Sequence, residues 1–134
     1  MPLYMLDTDM CVFIMRGPDE NLARRMLAIP LDRQAISVVT LAELLYGVRE
    51  SAKPRQNRAA LEGFAKHLSV LDWTEAAAER YAEIRSHLRK KGKLIGANDL
   101  MIAAHAKCVD AVLVTNNERD FRRVPALKVE NWVE

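Results

Sequence analysis

The sequence predicts an α/β domain, a parallel sheet flanked by helices, and two observations carry that prediction. Five short apolar runs of strand composition are separated by segments whose apolar residues recur every three or four positions. The chain has 134 residues, half of them apolar, with only five glycines and five prolines, which is enough to bury one core and too little for two. Alternating β and α elements favour parallel pairing, because each crossover lays a helix on a face of the sheet.

In chain order the strand-like runs are Leu3 to Leu6, Ala35 to Val39, Ser69 to Trp73, Ala111 to Val114 and Lys128 to Trp132. Between them, Leu41, Leu44, Leu45 and Val48 mark one helix and Ala77, Tyr81, Ile84 and Leu88 another. The polar stretch Ser51 to Arg58, which contains Pro54, reads as a link between helices, and Lys90 to Gly96 as an exposed loop. Trp73, Trp132, Tyr46 and Tyr81 are expected in the core. A net charge of +2 is too small for a general polyanion coat, so any nucleic-acid contact must come from local clusters. Cys11 and Cys108 lie in separate apolar segments without the spacing of a zinc site, and read as reduced core residues of a cytoplasmic protein. No apolar stretch approaches the roughly 20 residues that span a bilayer, and no leader-like segment opens the chain, so neither a membrane nor export is expected.

The chemistry sits in the acids. In a wound α/β fold the helices run antiparallel to the strands, so helix N-termini and ligands gather at the carboxyl edge of the sheet. Asp7 and Asp9 of "YMLDTD" leave the first strand into a helix expected near Asp9, and Glu43 is expected in the first turn of the helix after Val39. Asp99 of "GANDLMIAAHA" opens an alanine-rich helix expected around Asn98, and "AVLVT" exits into "NNERDF", bringing Thr115, Asn116, Asn117, Glu118 and Asp120 to the same edge. Each acid alone also fits helix capping. Thr40-x-x-Glu43 matches a capping box, Asn98-Asp99 an N-cap followed by a carboxylate that the helix dipole favours, and Asp7 and Asp9 a cap of the first helix. Gathered at one edge, however, three or four carboxylates repel one another by several kcal/mol at low dielectric, and a divalent cation relieves that repulsion better than helix dipoles. An all-oxygen donor set suits Mg²⁺ or Mn²⁺ rather than zinc. His67, His87 and His105 lack partners at ligand spacing and read as helical surface or packing residues. Magnesium held by few carboxylates keeps waters, which suits metal-assisted hydrolysis of a phosphodiester.

Four blocks, "YMLDTDMCVFIM", "ISVVTLAELLYGV", "IGANDLMIAAHA" and "VLVTNNERDFRRVPALKVENW", resemble in order and spacing those of the PIN-domain ribonucleases, and the match is close to the VapC toxins of bacterial type II toxin–antitoxin modules. The likeness covers nearly the whole chain, read as one PIN domain over residues 1–134. It implies a five-stranded parallel sheet in 3-2-1-4-5 order and an endoribonuclease dependent on Mg²⁺, with Mn²⁺ as a substitute. The implied carboxylate site is Asp7, Glu43 and Asp99, and the implied substrate is structured RNA, notably tRNA. A small VapB-like antitoxin whose tail covers the site, and a homodimer, are the implied partners. Many relatives carry an aspartate where this chain has Asn117, so Asp120 is the expected fourth acid and Asn117 an accessory group, unless Asp120 instead pairs with neighbouring arginines. Relatives often have asparagine at the position of Asp9, which favours an outer or capping role there.

On this reading Asp7 and Asp99 are the main metal ligands, Glu43 assists, Thr115 orients one of them and Asn98 supports. Attack by water would leave a 5′-phosphate and a 3′-hydroxyl. Arg85, Arg89, Lys90, Lys91 and Lys93, together with Arg119, Arg122 and Arg123, are candidates to hold RNA phosphates, although the first run also fits a solvated helix end. The apolar "MLAIPLD" and "LAELLYGV", with the segment 49–64, are candidates for a dimer face and an antitoxin groove. Two rival readings stand beside this one. "LDTD" also resembles the Asp-x-Asp nucleophile of haloacid dehalogenase-like phosphatases, but that class needs a further lysine, a later acidic pair and usually a longer chain. The other is a PIN-fold RNA- or protein-binding module with weak catalysis, against which the retention of Asp7, Glu43 and Asp99 together argues.

Overall fold

The computed structural model describes residues 1–133. Its strands are β1 (Tyr4–Leu6), β2 (Gln34–Ser37), β3 (Ser69–Leu71), β4 (Val112–Val114) and β5 (Val129–Glu130), all parallel in the order β3-β2-β1-β4-β5. The 3-2-1-4-5 order implied by the family resemblance is therefore the observed one. The helices are α1 (Thr8–Met15), α2 (Glu20–Leu27), α3 (Val38–Arg49), α4 (Pro54–Ala65), α5 (Glu75–Lys90), α6 (Ala97–Cys108) and α7 (Glu118–Phe121), with a short 3₁₀ turn at Leu31–Arg33.

Successive strand residues face opposite sides, and both sides are covered. Met5 is in register with Leu113, and both join Ile84 and Leu88 of α5 and Ile102 of α6 in one core. Leu6, Ile36 and Val114 face the other way, against Met10 of α1, Leu44 of α3, Leu61 of α4 and Trp132. Burial on both faces explains why these strands read as continuous apolar runs instead of alternating ones.

Several expected boundaries shift for identifiable reasons. The second strand stops at Ser37, short of Val39, because the Ser37 side chain accepts from the Val39 amide at 3.1 Å and starts α3 at Val38. Capping here overrides the strand preference of two valines. The third strand ends at Leu71, and the indole of Trp73 donates instead to the Met101 carbonyl at 3.0 Å. Pro54 opens α4 at the position where its missing N–H is harmless, so the helix link shrinks to residues 50–53. Trp132 is buried and Tyr81 half-buried, but Tyr46 is 67% exposed, against the expectation of a core residue. Cys11 is buried, and that burial pushes its thiol pKa up; Cys108 is only half-buried, and both are free thiols. No helix among the described residues is long and apolar enough to cross a membrane.

Candidate metal centre and its surroundings

Asp7 follows β1 directly and is 3% exposed. One carboxylate oxygen accepts from the Met10 amide at 2.8 Å, making Asp7 the N-cap of α1, which starts one residue earlier than expected. The other accepts from Thr115 Oγ1 at 2.5 Å, and Thr115 in turn accepts from the Asn117 amide at 2.8 Å. Each carboxylate oxygen can accept more than one bond, so capping and cation binding do not compete for Asp7. Burial raises its pKa to about 7; the bonds from Thr115 and Met10 oppose the shift, and the charges of Asp9 and Asp99 add to it.

Asp99 lies in the first turn of α6 and faces the other acids. Its pKa rises to about 6, chiefly through burial and then through the charges of Glu43, Asp9 and Asp120. Glu43 does not complete a capping box. Since Ser37 caps α3, Thr40 is buried inside the helix and Glu43 falls in the second turn, where its two oxygens accept from Thr8 Oγ1 at 2.6 Å and Asn98 Nδ2 at 2.9 Å. Asn98 is likewise no cap, because Gly96 takes that place and frees the Asn98 amide to reach across to α3. Asp9 is exposed at the rim. Asn117 donates to Asp120 at 3.1 Å, and Arg123 lies 3.9 Å from the same carboxylate, so Asp120 has an arginine neighbour as well as an influence on Asp99. Glu118 points elsewhere: Arg122 at 2.8 Å and Asn131 at 3.2 Å hold it and keep its pKa low. Asn116 is exposed.

The structure thus brings Asp7, Asp9, Glu43, Asp99 and Asp120 to one edge, braced by Thr115, Asn117 and Asn98. Thr8, whose hydroxyl also lies 3.4 Å from that of Thr40, is a contributor that the sequence reading missed. No local signal marked it, since its partner Glu43 lies 35 positions away in the sequence. Of the histidines, His67 lies in the turn after α4 and His87 in the last turn of α5. His105 is buried with Nδ1 2.7 Å from Ser37 Oγ, and burial lowers its pKa, which suits a neutral packing residue.

The donor set fits a hard divalent cation. It is all oxygen, without thiolate or histidine, and its two most buried members have pKa values raised partly by like charges, a strain that a cation relieves. No three acidic, histidine or cysteine side chains among the described residues are packed closely enough to enclose an ion alone. Magnesium, which keeps several of its waters, needs fewer direct protein ligands than such a cage supplies.

Arg85, Arg89, Lys90, Lys91 and Lys93 are exposed at the end of α5 and in the following loop. Arg119 is exposed too, whereas Arg122 is engaged by Glu118 and Arg123 by Asp120. A groove of about 360 Å³ runs from Thr8 and Glu43 between α1, α3 and α4, floored by Val12, Leu44, Val48 and Leu61.

A PIN-domain family model matches residues 4–127, and the chain belongs to that family. Over 131 residues it is 44% identical to Ribonuclease VapC2 of Rickettsia felis, covering 97% of this chain and 98% of that one. It is 41% identical over 129 residues to the tRNA(fMet)-specific endonuclease VapC of Salmonella typhimurium, covering 96% and 97% respectively. A crystal structure of DNA-bound VapBC from Salmonella typhimurium contains a chain that superimposes with a TM-score of 0.93 at 41% identity, covering 98% of this chain and 99% of that one. Nucleases of this family generally depend on a divalent metal.

Proposed function

We propose that this chain is the toxin of a VapBC-like toxin–antitoxin module, a cytoplasmic endoribonuclease that uses Mg²⁺, or Mn²⁺ in its place, to hydrolyse structured RNA such as tRNA. The carrying observation is that the charge of Asp99 acts on Asp7 and that of Glu43 on Asp99 at the edge where helix starts gather, in a chain similar over nearly its whole length to VapC ribonucleases. Asp7, Asp99 and Glu43 would hold the ion, with Asp120 as the fourth acid and Asp9 at the rim. A bound divalent cation acidifies the attacking water and neutralises charge on the phosphate. Thr115 fixes the Asp7 carboxylate, and Asn117 fixes Thr115 and Asp120 together. Thr8 and Asn98 aim Glu43. Because water rather than the ribose 2′-hydroxyl attacks, the products carry 5′-phosphate and 3′-hydroxyl ends.

The partner reading rests on the groove that begins at Thr8 and Glu43. Its apolar floor suits the tail of a VapB-like antitoxin laid toward the acids. The homodimer of this one domain rests on the family resemblance, and Leu27 at 87% exposure, Leu31 at 58% and Tyr46 at 67% are apolar side chains that such a contact would cover. The test is cleavage of tRNA and total RNA by the purified chain with Mg²⁺ or Mn²⁺, with EDTA, and as Asp7→Asn, with mapping of product ends. Discrete cuts with 5′-phosphates, abolished by EDTA and reduced at least about a hundredfold in the variant, are expected. Equal activity in the variant, or none in the metal-loaded wild type, would favour the binding-module alternative.

A further inference from the structure

The C-terminal half of α5 and its loop carry charge that the carboxylate edge does not account for. From Ile84 to Asn98 there are five cationic residues and no acid, in a molecule whose net charge is only +2. None of the five forms an ion pair among the described residues, although six such pairs occur elsewhere. Unpaired cations packed this densely repel one another and are stabilised by an anionic partner.

One of them is also fixed in place. Arg85 donates to the Tyr81 hydroxyl at 2.8 Å, with its guanidinium carbon 5.9 Å from the ring centroid. The Tyr81 ring rests edge-on against Trp73 at 6.1 Å, and Trp73 is tied to the Met101 carbonyl on α6. A long flexible side chain is thereby held on an aromatic platform anchored to the helix that carries Asp99. Beside it, Tyr81, Arg85, Ser86, Arg89 and Lys90 line an open hollow of about 340 Å³. The loop that continues the cationic run reaches the turn after α7, where the Leu94 carbonyl accepts from Arg123 at 3.3 Å, and Arg123 in turn neighbours Asp120. The basic face and the acidic edge are thus joined through one hairpin of α5 and α6.

We propose that the Tyr81–Arg85–Arg89–Lys90 face is a second RNA-backbone site, separate from the carboxylate edge, which grips phosphates of a folded RNA remote from the bond being cut. The occupant is RNA because its charge is continuous and its phosphates meet several cations at once, and because guanidinium forks match phosphate geometry. An RNA long and rigid enough to reach both places gains from both, so this site supplies a preference for structured over short single-stranded RNA without reading any base. The inference rests on the ribonuclease reading of the same molecule.

The test is binding of tRNA in EDTA, measured by fluorescence anisotropy across a salt series, for the wild type and for R85Q/R89Q/K90Q. Working without divalent metal keeps binding apart from cleavage. The triple variant is expected to bind tRNA at least tenfold more weakly, and its slope of log affinity against log salt should fall by roughly 2 to 3, from about 0.7 to 0.9 per lost phosphate contact. A short single-stranded RNA should lose several-fold less than tRNA. Wild-type tRNA affinity and salt slope in the variant would overturn the site, as would a variant that keeps both and loses only affinity for an acidic antitoxin segment. A wild-type chain that binds tRNA through these cations and cuts no RNA with metal would sink the nuclease reading and leave this site standing.

Discussion

At the scale of single residues, one carboxylate carries two loads. Asp7 caps α1 and is a ligand in the proposed metal site, and its burial sets a pH dependence with a definite sign. Unfolded, it titrates near 3.8; folded, near 7, so the folded chain holds the proton more tightly. Without metal, its contribution to stability is complete below pH about 4 and is lost as the pH rises through about 7. Asp99, raised to about 6, acts in the same direction over a narrower window. Asp7→Asn resembles the protonated acid, so its melting temperature in EDTA should match that of the wild type near pH about 4 and exceed it increasingly toward pH about 8. Melting curves that run parallel across that range would contradict the assignment. Mn²⁺ should restore the wild type alone at high pH, since metals bind the deprotonated form. In the proposed site Thr8 would act at one remove from the ion: Thr8→Val takes the donor from Glu43, and Mn²⁺ affinity by calorimetry should fall about 10- to 100-fold with the fold intact. The acids themselves were legible, because carboxylates at the exits of apolar runs are conspicuous. Thr8 was not, because its partner lies 35 positions away and meets it only when β2 pairs with β1.

At the scale of elements, a cap decided more than propensity did. Val38 and Val39 look like strand, and Thr40-x-x-Glu43 looks like a helix start, but Ser37 takes the cap and moves both. The displacement has a functional result: Glu43 is carried into the second turn, where Thr8 and Asn98 can reach it. Ser37 also meets His105, so one hydroxyl fastens the start of α3 to the last turn of α6, the two helices that carry Glu43 and Asp99. Ser37→Ala removes a cap worth about 1 kcal/mol and leaves a buried imidazole nitrogen without its partner at a cost of about 1 to 3 kcal/mol. Urea denaturation should therefore show a loss of roughly 2 to 4 kcal/mol. A loss below about 0.5 kcal/mol would mean that the pair does not clamp the helices. Nothing local in the sequence distinguishes Ser37 from Thr40 as the cap; the choice is made by β2, whose last residue must still pair with Leu71 of β3.

At the scale of the molecule, the alternation of apolar runs and helical spacings was enough for a parallel sheet, but strand order is a non-local property that no window of sequence contains. It was legible only through the resemblance of whole blocks in register. The groove between α1, α3 and α4 belongs to the same class of feature, since it exists only when three helices distant in sequence are packed together. Its position is informative because Thr8 and Glu43 of the acidic edge line it together with Asn57 and Ala60 of α4. An antitoxin tail lying along it would cover the acids while making most of its contacts away from them. Ala60→Glu sets a charge on the α4 wall of the groove, on a residue outside the proposed metal ligands. A tail bound there must then desolvate the new carboxylate against the apolar floor or withdraw from the α4 wall. With the variant's own cleavage rate as reference, inhibition by a cognate antitoxin should weaken at least tenfold, about 1.4 kcal/mol of binding. An unchanged inhibition constant would place the antitoxin on another face and leave this groove without an assigned occupant.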